Sequence, residues 1–277
     1  MRVVRQSFAL GEWESVFCAP DPRLHGLVIG DYHGWTEASS TGMCQTEAPK
    51  MLVPFVINLG PAFDIDSPGN LSAALEPYDS FVAGLHNRYA LVRSSGRSQC
   101  LQVNFTLIGA WRLFGVAMHE IANRIVSIED LVGDEGRVAI DRIRMASGWP
   151  ERFEILDDFL LKRLGGAAVV PHRIDRALHR LKTTGGAVGI GALADELDCS
   201  CKQLIRLFDD TVGLPPKIVA RIYRFERAVR RLGAPSRPAL SELALECGYY
   251  DQAHFNREFR AFVGCAPGEY RHLVAAG

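Results

Sequence analysis

The sequence predicts an α+β protein of two domains: a β-rich barrel with helices trailing from it, then an all-α C-terminal part built on a duplicated helix-turn-helix pattern. Three observations predict this. Short apolar runs punctuated by Gly, Pro, Asn and Asp fill the chain to about residue 115. Beyond that point the hydrophobic period lengthens from two residues to that of an α-helix. Finally, Ile190–Gly213 is repeated in outline by Leu240–Gly264.

The β-rich part is read from Met51–Leu59, Phe81–Leu85, Tyr89–Arg93 and Cys100–Ile108. The last alternates, with Leu101, Val103, Phe105 and Leu107 expected on one face. Several such strands with short connections suggest a small barrel or sandwich. Helical spacing then appears at Glu135–Ser147. It recurs from Phe153 to Leu164, with Pro150 as a start signal and Gly165–Gly166 as a stop. Gly165–Val170 reads as a linker, which divides the chain into residues 1–166 and 170–277.

Bulk properties set limits. The 277 residues are 48% apolar and 23% charged, the balance of a soluble globular protein. Glu12 and Glu14 interrupt the first apolar run, and no window approaches the ~20 apolar residues of a membrane span, so no membrane association is expected. The seven scattered cysteines fit reduced thiols and a cytoplasmic location. Net charge is −1, but residues 170–277 carry 16 Lys and Arg against 12 Asp and Glu, a surplus of +4, which leaves −5 on residues 1–169. An acidic N-terminal part is thus joined to a basic C-terminal one.

The repeat carries the functional reading. In the first copy, Leu193, Ala194 and Leu197 form an apolar face, Asp198–Ser200 a turn with Ser200 as N-cap, and Leu204, Leu207 and Phe208 the buried face of the next helix. Lys202, Gln203, Ile205 and Arg206 are left exposed near that helix's start, the part of a helix-turn-helix that enters the major groove. Long cationic donors suit guanine edges, Gln suits adenine, and Ile205 suits a thymine methyl. In the second copy, Gly248 permits the turn, Tyr249 anchors the core and Asp251 is the N-cap. Phe255, Phe259 and Phe262 are buried, and Gln252, Ala253, Asn256 and Arg257 are presented, with His254 and Arg260 beside them. Between the copies, Lys217–Leu232 has an apolar stripe and an arginine face, starts at Pro215–Pro216 and stops at Gly233. Its 16 residues make a rod of about 24 Å. Such a rod suits two readers set about 34 Å apart, in successive turns of the groove.

These residues resemble the DNA-binding domain of AraC/XylS-family transcription regulators over about residues 172–273. The resemblance rests on Leu193-Ala194, Ser200, Arg206-x-Phe208, Gly213-x-Pro215-Pro216, Leu243-Ala244, Cys247-Gly248-Tyr249, His254-Phe255-x-Arg257-x-Phe259, Gly264-x-x-Pro267 and Tyr270-Arg271. It implies seven helices, double-stranded DNA as partner, and base contacts from Lys202, Arg206, Gln252, Asn256 and Arg257. Ile205 departs from the polar residue more usual there. It further implies a cupin-like N-terminal barrel that binds a small-molecule effector or forms a homodimer, with RNA polymerase as a further partner at the nucleoid. Trp35, Phe55, Tyr89, Phe105 and Trp111 are the candidate pocket residues, each also readable as barrel core.

Other readings are weaker. Cys199-x-Cys201 lacks two further ligands at zinc spacing, and His25, His33, His86 and His119 lack the spacing of a cupin metal site. No cofactor or metal is expected. The alternative function is a catalytic barrel with the helical part as accessory; a scaffold of packed helices would need neither the turns nor the caps.

Overall fold

The computed structural model describes residues 1–8, 11–66, 75–166, 170–234 and 238–276. The chain opens with β1 (Arg2–Phe8), β2 (Gly11–Cys18), β3 (Tyr32–Ser39), β4 (Cys44–Glu47), β5 (Val53–Asn58) and β6 (Phe63–Asp66). Next come β7 (Glu76–Tyr78), β8 (Phe81–Ala83), β9 (Ala90–Arg93) and β10 (Arg97–Phe105), then helix α1 (Leu107–Phe114) and β11 (Ile125–Ser127). Two antiparallel helices, α2 (Ile128–Met145) and α3 (Trp149–Leu164), follow. Seven more complete the chain: α4 (His172–Thr183), α5 (Ile190–Glu196), α6 (Cys201–Thr211), α7 (Pro216–Leu232), α8 (Leu240–Glu246), α9 (Gln252–Val263) and α10 (Pro267–Ala276). Of the expected linker Gly165–Val170, residues 167–169 lie outside the described residues.

The expected barrel is not closed. The strands form one sheet in the order β1-β2-β3-β10-β5-β8-β11 and a second in the order β4-β9-β6-β7. Among the described residues no strand joins β1 to β11. The reason is local: β11 is three residues long, and Ser127 N-caps α2 by accepting a hydrogen bond from the Asp130 N–H (3.1 Å), which carries the chain out of the sheet. Charged side chains on β1, with Arg5 paired to Glu14 of β2 at 2.6 Å, keep that edge solvated.

The larger sheet is covered on both faces. One face carries Phe55, Ile57, Leu101, Val103 and Phe105, buried against the helices, with Phe55 ring centroids 6.5 Å from Phe114 and 6.4 Å from Phe159. On the other face Val56, Phe81 and Cys100 cluster with Phe63, Ile65 and Ala90 of the smaller sheet. The alternation in β10 therefore runs as expected through Phe105 but stops there. Thr106 N-caps α1 by accepting from the Gly109 N–H at 2.9 Å, and Leu107 is the first helical residue. Helix α3 is tied to the sheet by Asp157, which accepts from the Tyr32 hydroxyl (2.6 Å) and the Asp21 N–H (3.0 Å). Pro150 sits in its first turn, where the missing N–H costs nothing.

The core continues from the sheet through α1 and α3 into the C-terminal helices. There Phe225 of α7 packs between Phe259 (5.2 Å) and Phe262 (5.0 Å), and Tyr249 meets Phe255 at a tilt, with centroids 4.9 Å apart. Helix α7 begins at Pro216 and ends at Gly233, as the sequence predicts.

Candidate nucleic-acid interface

The two copies of the repeat fold alike, and the backbone shows why. At the end of α5 the Cys199 N–H bonds the Ala194 carbonyl (3.1 Å) and the Asp198 N–H bonds the Asp195 carbonyl (3.2 Å). At the end of α8 the Tyr249 N–H bonds the Ala244 carbonyl (2.9 Å) and the Gly248 N–H bonds the Leu245 carbonyl (3.0 Å). This is the six-to-one, five-to-two closure of a helix C-terminus, and it requires a left-handed residue. Gly248 supplies φ +83 without strain, whereas Asp198 adopts φ +50, which short polar side chains tolerate. Ala194 and Ala244 are fully buried, small enough for the reading helix to cross above them.

Both reading helices are capped where expected. Ser200 accepts from the Gln203 N–H (3.2 Å) while Gln203 Oε1 accepts from the Ser200 N–H (2.9 Å), a reciprocal capping box. Asp251 accepts from the His254 N–H at 2.6 Å. The caps orient the first turns of α6 and α9. On α6, Lys202, Gln203 and Arg206 are exposed and Ile205 retains 42% of its surface. On α9, Gln252, Ala253, Arg257 and Arg260 are exposed, whereas Asn256 is half-buried and its Oδ1 has no partner. Among the described residues none of Lys202, Arg206, Arg257 and Arg260 forms an ion pair, so their charge is available to an anion. Tyr250, 87% exposed just before Asp251, joins this surface. Its signal in the sequence was position alone, a second aromatic beside the one that anchors the core.

The other arginines are differently employed. On α7, Arg221 bonds Glu258 of α9 at 2.7 Å and lies over the Phe262 ring. Arg224 lies over Tyr249 at 5.4 Å, and Arg231 bonds Glu246 of α8 at 3.2 Å. On α4, Arg173 and Arg176 donate to the Leu197 and Glu196 carbonyls, both at 3.1 Å, and Arg180 pairs with Glu196 at 2.8 Å. Arg173, Arg176, Arg180 and Arg231 thus hold the ends of α5 and α8 against their neighbours, a favourable placement at helix C-termini.

The pocket candidates separate. Trp35 lines a cavity of about 330 Å³ between the two sheets, together with Trp13, His33, Gln102 and Asn104. Phe55 and Phe105 lie on the opposite, helix-facing side of the larger sheet, fully buried in the main core. Trp111 packs half-buried against that same core from α1. Tyr89 turns toward the C-terminal helices, where a Cβ on Gly264 would stand 3.2 Å from its ring. Parity in β10 held the missing signal: if Leu101, Val103 and Phe105 face the helices, then Cys100, Gln102 and Asn104 face the other way. Burial pulls His86, a lining residue, down to about 4 and lowers His33, so both imidazoles are neutral at pH 7. Among the described residues no cluster of three or more His, Cys, Asp or Glu is placed to hold a metal, and no helix is long and apolar enough to cross a membrane.

Several contacts among the described residues join the β-rich part to the C-terminal helices. The Met51 N–H donates to Glu226 Oε1 of α7 at 2.9 Å. Gly213, at the end of α6 with φ +88, sits so that a Cβ would be 2.5 Å from the Met118 carbonyl oxygen, and Gly264 abuts Tyr89. The Val-Gly that closes each copy of the repeat is thus explained twice, as a left-handed cap and as a docking point. Gly213→Ala is expected to destabilise the fold by about 1–3 kcal/mol, because neither φ nor the backbone oxygen can give way. Gly264→Ala meets a movable ring and should cost less. Urea midpoints of the two variants check the order.

Glu226 adds a pH dependence. Its burial raises the carboxyl from its ordinary 4.5, more than the Met51 N–H and the nearby Arg230, Lys182 and Lys50 lower it. A raised carboxyl favours the folded state at low pH, and that contribution is lost as pH rises through the folded-state value. Glu226→Gln keeps an acceptor for Met51 and cannot ionise. Its melting temperature is expected to match the native protein's near pH 4.5 and to exceed it at pH 7.5. A lower value at pH 7.5 would show that the ionised bond to Met51 outweighs the burial.

Two short capped helices with unpaired donors on their exposed faces, fixed on one connecting helix, define a double helix-turn-helix DNA-binding protein. Residues 193–272 match the family model described as a helix-turn-helix domain. That segment is a helix-turn-helix domain. Comparison with curated proteins finds no match. Among solved structures, the chain is similar to the xylose-binding transcription activator xylR (20% identity, 40% of this chain and 29% of that one, TM-score 0.34). It is also similar to an AraC-type transcriptional regulator from Chromobacterium violaceum (24% identity, 37% and 92%, TM-score 0.35). A third is ToxT from Vibrio cholerae strain SCE256, with unsaturated fatty acid bound (11% identity, 87% and 98%, TM-score 0.45). The chain spans less than a third of xylR's length.

Proposed function

We propose that residues 170–277 read two successive major-groove segments of one operator, and that residues 1–166 bind a small effector in the cavity between the sheets. The observation that carries the first half is the pair of capped, ion-pair-free reading faces on α6 and α9. Lys202, Arg206 and Arg257 reach guanine edges, and Gln203, Gln252 and Asn256 adenine. Ser200, Asp251, Ala253 and Arg260 shape the two helix starts and their flanks, and Ile205 meets a thymine methyl. Tyr250 and Arg260 contact the phosphate backbone.

The second half is supported by where the cavity walls lead. Ala48, Pro49, Lys50 and Leu52 line the cavity, and Met51 between them bonds α7. His86 lines it as well, three residues before Tyr89, which meets the end of α9. A ligand that shifts these walls shifts how the heads are held. In this reading the regulator works at the cytoplasmic nucleoid, with RNA polymerase and a second copy of the chain as partners at a promoter, and the cavity binds without catalysing.

Selection of DNA from a random pool by the full chain, followed by gel shift of the winners, tests the first half. The expected result is a consensus of two half-sites about one helical turn apart, bound in a salt-sensitive manner. Binding with no sequence preference at any salt concentration would sink it.

A further inference from the structure

The cavity between the sheets has a composition that selects its ligand. On the larger sheet, Trp13 and Trp35 lie nearly parallel (interplanar angle 6°, centroids 6.4 Å apart), and His33 tilts against Trp35 at 5.2 Å. These rings offer flat faces at neighbouring positions of β2 and β3, where Ser15 pairs with Trp35 and Phe17 with His33. The facing wall is apolar over Phe63, Ile65 and Val92 of the smaller sheet, with Gln45 and Glu47 on its edge strand β4 bonded to each other at 2.8 Å. On the larger sheet, hydrogen-bonding groups lie on the adjacent strand β10. There Gln102 stands opposite His33 and donates to Asn104 Oδ1 at 2.7 Å, which leaves the Gln102 carbonyl and the Asn104 amide N–H groups to meet a ligand.

Charge is the discriminating property. No arginine is among the described lining residues. Lys50 is paired with Glu47 at 3.1 Å, and both of those side chains are about half exposed. The two lining histidines are held neutral by burial. An anionic headgroup entering this space would lose its hydration and find no unpaired cation. A saccharide, polar on every side, would press hydroxyls against the apolar wall. A flat, neutral ring satisfies both surfaces at once, because aromatic faces stack offset and the rim can carry one or two hydrogen-bonding groups.

We infer that the cavity between the two sheets takes an uncharged planar aromatic molecule, stacked on the indole of Trp35 with its hydrogen-bonding group at Gln102 and Asn104. The inference deepens the effector reading and rests on it for its regulatory meaning, but not for the binding itself.

The experiment uses the full-length protein and four probes of defined chemistry: indole, indole-3-acetate, glucose and dodecanoate. Melting temperature and tryptophan emission are followed across a titration of each. The expected result is a saturable stabilisation and emission change with indole, with half-saturation at least tenfold lower in concentration than for indole-3-acetate, glucose or dodecanoate. Trp35→Ala should abolish the indole response. Gln102→Leu, which keeps the side-chain size, should weaken it several-fold and serves where Trp35→Ala does not fold. Equal or tighter binding of any of the other three probes, or no saturable response to indole, overturns the proposal. Gel shift of the selected operator with and without indole separates the two readings. Indole that binds yet leaves DNA affinity unchanged sinks the regulatory role and leaves the ligand class standing. Loss of the indole response alone leaves DNA recognition untouched.

Discussion

Replacing Glu258 with alanine is expected to lower the unfolding free energy by about 3–5 kcal/mol, far more than any change on the reading faces. Glu258 is only 7% exposed, on the side of α9 that meets α7. It bonds Arg221 at 2.7 Å and lies 4.0 Å from Arg224 and 3.7 Å from His254. Both arginines are themselves mostly covered, by Phe262 and by Tyr249. Alanine would leave two cations packed among aromatic rings with no counter-charge, and a cavity beside them. The loss is therefore larger than the worth of the pair itself, since desolvation of the remaining partners is no longer compensated. Glu258→Gln should fall between, because it retains volume and one acceptor for Arg221 but not the charge. Urea unfolding of both variants gives the stability order. Footprinting adds a readout that a global loss would not produce: protection of the second half-site should weaken before that of the first, because α6 has no contact with Glu258. A neutral Glu258→Ala would mean that solvent reaches this pair.

Why Glu258 was invisible in the sequence is instructive. Helices α5 to α9 were legible from punctuation and period: Pro216 and Gly233 bracket α7, and Ser200 and Asp251 open the two reading helices. Such signals act within one turn of chain. The role of Glu258 depends on Arg221, 37 residues away, and nothing local marks a glutamate on a helix otherwise buried by phenylalanines. The clamping role of the α7 arginine face is hidden for the same reason, since solvated and clamping arginines have the same spacing. In the β-rich part, short strands with alternating character were recognisable in β5, β8, β9 and β10. The hairpin β1–β2 was not, because its exposed edge is mostly polar and charged. Sheet closure depends on which strands pair across the chain, so an open pair of sheets and a barrel look alike from sequence. Trp35 was recognisable only as a candidate pocket aromatic, and its cross-strand partners are what show that it faces the cavity while Phe55 and Phe105 face helices.

The final prediction concerns the two heads as a unit. Arg206→Ala and Arg257→Ala are each expected to weaken binding to the preferred operator by about 1–3 kcal/mol and to relax the preference at one base position. The two side chains stand on separate helices and share no partner, so the double variant should lose the sum. An equal loss on random DNA would instead mark the arginine as a phosphate contact. The same independence should vanish when the DNA is altered. Helix α7 spans 17 residues, about 26 Å; Arg224 donates to the Gly186 carbonyl ahead of the first head (3.4 Å) and Arg221 and Arg231 bind the second, so α7 sets the distance between the heads rigidly. Inserting five base pairs between the half-sites turns the second through about half a helical turn, to the far face of the duplex. A rigid bridge cannot follow, and one head must let go. The insertion should then cost as much as removing the second head's base contacts, and Arg257→Ala should have no further effect on the altered site. Undiminished affinity for the inserted operator would show that α7 does not fix the spacing, and the two heads would have to be read as independent binders on a flexible tether.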